Sequence, residues 1–99
     1  EEYMTDLSHI LNVLRQHKPR LSERYFVQEI GVFGSFARGE ANEKSDVDVL
    51  VLLSHPIGLD FVLLGDELED LLKLKVDLLS VKSLKPSLRK YIEKEVVYA

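Results

Sequence analysis

The stretch from Asp46 to Leu53, DVDVLVLL, constrains the fold more than any other part of the chain. Its first half alternates acid and valine, and its second half is apolar without a break. Alternation at a period of two belongs to a β-strand, and an unbroken β-branched and leucine run belongs to a strand covered on both faces. Such a strand needs helices above and below it, which implies an α/β architecture.

The flanking sequence supplies those helices. Leu7, Ile10, Leu11 and Leu14 recur at helical spacing and predict a helix from Thr5 to His17, closed by Pro19. Tyr25 to Phe33 is aromatic and β-branched and reads as a strand running into a glycine. Gly34 to Glu40 reads as a tight turn with a short helix, ended at Gly39 by a positive φ. Ala41 to Ser45 is polar loop, and Pro56 and Gly58 mark another loop. Phe61, Leu64, Leu68, Leu71 and Leu72 form a second helical stripe, which leaves Asp66, Glu67, Glu69 and Asp70 on a solvated face. Lys75 to Val81 is a third strand. Pro86 suits the first turn of a last helix, with Leu88, Tyr91, Ile92 and Val96 inward and Glu95 a polar exception. The order is α-β-α-β-α-β-α, an α/β (α+β) fold with a small mixed three-stranded sheet flanked by helices.

A length of 99 residues fits one domain spanning residues 1–99, with a limited core that a partner or ligand would supplement. Glu1-Glu2-Tyr3 stand ahead of Met4 and read as a remnant, with the native start at Met4. The chain has 17 acids against 13 bases, a net charge of −4, which argues against a sequence-independent nucleic-acid binder. It has no cysteine, so disulfides and thiolate metal sites are excluded, as suits a cytoplasmic protein. No apolar run reaches the roughly 18 residues of a membrane span, and no signal peptide is visible.

The chemistry lies between Gly34 and Asp77. Asp46 and Asp48 are two apart on one strand, so their side chains share a face. Two carboxylates against an apolar sheet repel each other and are costly to bury. A divalent cation removes the conflict, and hard oxygen donors suit Mg²⁺ or Mn²⁺. Asp77 stands alone among Val76, Leu78 and Leu79, in a strand expected beside Asp46–Leu53. It either completes the metal site or pairs with Lys73 or Lys75. His9, His17 and His55 have no ligand spacing and read as surface residues.

The Gly34-Ser35 turn stands between a strand end and a helix start. Gly34 permits close backbone approach, the free N–H groups of the turn suit a phosphate, and the Ser35 hydroxyl either caps the helix or donates to a phosphate oxygen. Arg38 follows one helical turn later and either reaches the same side or pairs with Glu40 or Glu43. Metal-binding carboxylates facing a phosphate-binding turn suit transfer at a phosphorus centre, with two ions holding the attacking and leaving oxygens. One aspartate is suited to accept the proton of the attacking hydroxyl.

Gly34-Ser35-Phe36-Ala37-Arg38-Gly39, followed by Ser45-Asp46-Val47-Asp48-Val49-Leu50-Val51, resembles the signature of the DNA polymerase β-like nucleotidyltransferases. Among these the chain looks closest to the stand-alone minimal nucleotidyltransferases, the antitoxins of pairs with HEPN ribonuclease toxins. The resemblance covers nearly the whole chain. It implies Gly34, Ser35 and Arg38 as nucleotide-binding residues, and Asp46, Asp48 and Asp77 as catalytic metal ligands for two Mg²⁺ ions. It further implies ATP as substrate and AMP transfer to a tyrosine hydroxyl of the toxin. Two other readings stand beside it. One is an antitoxin that neutralises its partner by complex formation alone. The other is nucleotidylation of a small molecule such as an aminoglycoside, against which the short chain counts.

Overall fold

In a computed structural model that describes residues 6–99, the strands β1 (Val27–Phe33), β2 (Val47–Leu53), β3 (Val76–Ser80) and β4 (Val97–Tyr98) form a four-stranded sheet of order β3-β2-β1-β4, with β2 inside it. Strand β2 pairs antiparallel with β1 and parallel with β3. Val47, Val49, Leu50 and Val51 have no solvent exposure. The pleat sends Val47, Val49, Val51 and Leu53 into a core shared with helices α1 (Leu7–Tyr25) and α3 (Asp60–Leu72). Leu50 turns the other way, joining Phe33, Val81 and Ile92 in a smaller cluster beneath helix α4 (Pro86–Glu95). Asp48 has the parity of Leu50, so it belongs to the α4 side of the sheet. Glu1 to Tyr3, which read as a remnant in the sequence, lie outside the described residues.

Helix α1 runs past Pro19 to Tyr25, beyond the end expected at His17. Proline inside a helix costs about 3 kcal/mol. Leu21 and Tyr25 are buried beyond it, and each such burial is worth about 1.5–3 kcal/mol. The continued apolar stripe therefore outweighs the proline. Arg20 and the Tyr25 hydroxyl both donate to Glu67 of α3, at 2.9 and 3.0 Å. Those bonds, Arg20 first, hold the Glu67 carboxyl below its ordinary range. Glu67 is thus a tie between helices rather than a solvated residue. Glu69 is also engaged, accepting the Val76 N–H at 2.9 Å. The helix ends at Phe26, whose φ of 60° turns the chain into β1.

The sheet has one strand more than the sequence reading predicts. Val96 leaves α4, and Val97–Tyr98 form β4, antiparallel to Val32 and Gly31. Two residues are too few to show alternation, so the strand exists only through its neighbour. Gly31 makes room for it: a Cβ there would meet Val96 Cγ2 at 2.7 Å and the Val97 carbonyl at 2.9 Å. On α4, Ile92 alone of the expected inner face is deeply buried, whereas Leu88 and Tyr91 are exposed. Among the described residues, no helix is long and apolar enough to cross a membrane.

Two glycines should respond in opposite directions. Gly31→Ala overpacks the β1–β4 contact and is expected to destabilise the fold by about 1–3 kcal/mol. At Gly65, inside α3, an added methyl group would meet only Leu78 Cδ2, at 3.9 Å. Gly65→Ala is therefore expected to stabilise by about 0.5–1 kcal/mol. Urea denaturation of both variants checks the pair.

Candidate active site

Parallel pairing of β2 with β3 sets the centre of the site. The register places Asp48 beside Asp77, Val47 beside Val76 and Val49 beside Leu78. Cross-strand neighbours point the same way, so the two carboxylates share the α4 side of the sheet. Asp46 lies in the loop just ahead of β2, one residue before the strand begins, rather than within it as the sequence suggests. That loop is shaped by Asn42 and Ser45: Asn42 N–H donates to Ser45 Oγ at 2.9 Å, and Asn42 Oδ1 accepts the Lys44 N–H at 2.8 Å.

Asp48 is the electrostatic focus. Burial raises its carboxyl above the ordinary value, and the charges of Asp77 and Asp46 raise it further, while Arg38 opposes them. Among the described residues, the ion pairs fall elsewhere on the chain and none involves these three aspartates. The alternative pairing of Asp77 with Lys73 or Lys75 is thus not formed. Among the described residues no three metal-ligating side chains come together as a ready-made metal site, these carboxylates included. The carboxylates form an open, acid-only set at the edge of an apolar sheet. Their mutual repulsion and oxygen chemistry fit a hard divalent cation that also binds phosphate oxygens.

Gly34 closes the other side. It follows β1, where Phe33 is the register partner of Asp48. Its φ is +77°, and a Cβ there would run into Asp48 Oδ2. Only glycine lets the turn lie against the carboxylate in this conformation. Helix α2 (Ser35–Arg38) follows, ended by Gly39 at φ +74°. The Arg38 N–H bonds back to the Gly34 carbonyl at 3.0 Å, while those of Ser35, Phe36 and Ala37 have no backbone partner among the described residues. Ser35 is half-buried beside them.

Arg38 is held by two carboxylates, Glu40 at 3.0 Å and Glu95 at 3.0 Å, and these bonds raise its guanidinium above the ordinary value. Of the two acids considered for it from the sequence, Glu40 is engaged and Glu43 is not among its partners. A cleft of about 460 Å³ borders Arg38 and Gly39 and is walled by Leu7, Phe36 and Ala41. It includes none of the three aspartates. Asp46 and Asp77 are exposed, so the acidic site opens directly to the surface.

A sequence profile of the Nucleotidyltransferase domain matches residues 14–99. The chain belongs to this family. It is 50% identical over 96 residues to the protein adenylyltransferase MntA of Thermococcus cleftensis, an alignment covering 96% of this chain and 97% of the relative. A solved chain described as a candidate minimal nucleotidyltransferase superposes with a TM-score of 0.78 at 37% identity, over 97% of this chain and 98% of that one. Two toxin–antitoxin structures share the fold at lower identity. One, solved with AMP-PNP, has a TM-score of 0.70 at 24% identity, over 95% of this chain and 72% of that one. The other holds a tri-AMPylated Shewanella oneidensis HEPN toxin with an MNT antitoxin, at TM-score 0.59 and 23% identity, over 92% and 66% of the two chains.

In this nucleotidyltransferase-family chain, sequence reading misses one residue of the site. Glu95, noted only as a polar exception on α4, accepts the Gly34 N–H at 2.7 Å with one oxygen and Arg38 with the other. Its signal was position: a carboxylate in the last turn of a helix opposes the macrodipole.

The raised Asp48 carboxyl makes a stability prediction. Its folded-state proton affinity exceeds the unfolded one, so stability falls as pH rises through that interval and stays lowered at neutral pH. Asp48→Asn is therefore expected to raise the thermal midpoint by a few degrees at neutral pH in the absence of divalent cations. The gain should shrink below the ordinary aspartate range of about 3.9. Melting curves at both pH values check it, and a lower midpoint at neutral pH would contradict it.

Proposed function

We propose that this chain transfers AMP from ATP to a hydroxyl of a cognate protein, a tyrosine of a HEPN ribonuclease toxin, and acts as its antitoxin. The observation that carries this reading is the register of Asp48 with Asp77, facing a glycine turn that lies against Asp48. Asp46, Asp48 and Asp77 are the residues that would hold two Mg²⁺ ions, or Mn²⁺ in their place. When bound, such ions neutralise phosphate charge and favour in-line displacement.

The chain's own groups do the rest. The N–H groups of Ser35 and Phe36 and the Ser35 hydroxyl bind phosphate oxygens. The Gly34 N–H is already engaged by Glu95, so the contribution of Gly34 is its missing side chain. Arg38 adds positive charge beside the turn while held by its two glutamates. Asp77, the more exposed of the strand-borne pair, takes the proton of the acceptor hydroxyl. The acceptor oxygen then bonds to the α-phosphorus, the bond to the bridging oxygen breaks, and pyrophosphate leaves. The name of the Thermococcus relative and the modified toxin of the Shewanella complex support AMP transfer to a protein as the direction of this chemistry. An open site suits an acceptor that arrives on another protein's surface.

Exposed apolar side chains favour a second contribution, neutralisation by contact. Leu59, Val62 and Leu63 at the start of α3 are exposed, Leu59 to 88%. Such patches mark interaction surfaces.

With the partner toxin, Mg²⁺ and labelled ATP, label should pass to the partner. The double change Asp46→Asn and Asp48→Asn is expected to slow transfer on the order of 10²–10³-fold, the size of a lost charge-stabilising group. Equal labelling by the double variant sinks the catalytic assignment. In cells, a folded Asp46, Asp48 and Asp77 triple-alanine variant that protects fully would show that contact suffices.

A further inference from the structure

Glu95 is built into the turn more firmly than a surface acid. Its side chain retains only 16% of its exposure. One oxygen accepts the Gly34 N–H at 2.7 Å and the other accepts Arg38 Nη1 at 3.0 Å. These donors sit at the two ends of the turn, just before α2 and at its last residue. The scaffold behind Glu95 is anchored on both sides. Ile92, one turn earlier, is buried, and Val97 and Tyr98, just after it, pair with β1. Gly34 is thus held between two carboxylates: Asp48 lies where its side chain would be, and Glu95 binds its N–H. The position is unfavourable for α4 itself, since a negative charge at a helix C-terminus opposes the exposed carbonyls. Its partners, rather than its helix, account for the residue. Bonds from the Gly34 N–H and from Arg38 lower its carboxyl below the ordinary value, so it is ionised at neutral pH.

We infer that Glu95 is a positioning residue for the nucleotide: a carboxylate from the C-terminal helix braces both ends of the Gly34–Arg38 turn and sets the geometry in which a triphosphate is received. This rests on the nucleotidyl-transfer reading of the same turn. The brace acts through the turn without touching the reacting atoms. It occupies the Gly34 N–H and leaves those of Ser35 and Phe36 for phosphate. It also ties the chain's last helix and strand to the nucleotide site, although neither carries a recognised motif.

The test uses the full chain, with Glu95→Ala and Glu95→Gln, and ATP with Mg²⁺ as the probe. Calorimetry gives the dissociation constant, thermal melting reports folding, and the amide resonance of Gly34 reports the brace. Folded Glu95→Ala is expected to bind about tenfold more weakly, as for one lost charge-assisted bond, with the Gly34 amide shifted upfield. In transfer assays the KM for ATP should rise while kcat changes much less. Glu95→Gln keeps an acceptor for the Gly34 N–H and should fall between the native protein and Glu95→Ala. Native-like affinity in folded Glu95→Ala overturns the inference. Tighter binding overturns it too, because the carboxylate would then compete with phosphate. If Glu95→Ala does not fold, Glu95→Gln decides: weaker binding supports the brace, and unchanged affinity overturns it. If the native chain itself binds no ATP with Mg²⁺, the transferase reading fails along with the inference. Native binding with an indifferent Glu95→Ala removes the inference alone.

Discussion

The pairing of β2 with β3 forces like charges together, and the site depends on that constraint. Strand register is specified by burial, because a slip of one residue would turn the valines of β2 away from α1 and α3. With Val47, Val49 and Val51 held in that core, Asp48 must emerge on the opposite face. The parallel register then sets Asp77 beside it. Neither carboxylate needs a local reason to be where it is. The apolar residues around them choose the geometry, and the acids accept it.

This arrangement opposes stability and suits the proposed chemistry. Asp48 is half-buried, repelled by Asp77 and Asp46, and shifted toward its protonated form. A protein selected only for stability would place a neutral residue there. The cost is tolerated because the apolar contacts beneath it are extensive, and in the proposed function a bound cation would offset it. Gly34 shows the same exchange from the backbone side. Its left-handed φ forgoes a side chain so that a turn can touch a carboxylate. Two acids flank Gly34: Asp48 occupies the space a side chain would take, and Glu95 accepts its N–H.

Much of this could be read along the chain because period and motif are local. The helical stripe of α3, the buried run of β2 and the turn at Gly34 each declare themselves within about ten residues. The deviations come from contacts between distant segments. A local rule treats Pro19 as a stop, but Leu21 and Tyr25 find the core beyond it. Glu67 and Glu69 look solvated until Arg20, Tyr25 and the Val76 backbone reach them. Strand β4 is too short to have a pattern of its own. Glu95 acquires its role only from Gly34 and Arg38, which are 61 and 57 positions away along the chain.

The amino-acid order by itself determined the family and the class of fold, and it marked the acids and the glycine turn as candidates, because side-chain chemistry and short-range periodicity are written residue by residue. Tertiary structure alone decided which acids become neighbours, how Arg38 divides between Glu40 and Glu95, and where the C-terminus is fastened. Those outcomes follow from strand register and helix packing, which depend on the burial of the whole chain at once.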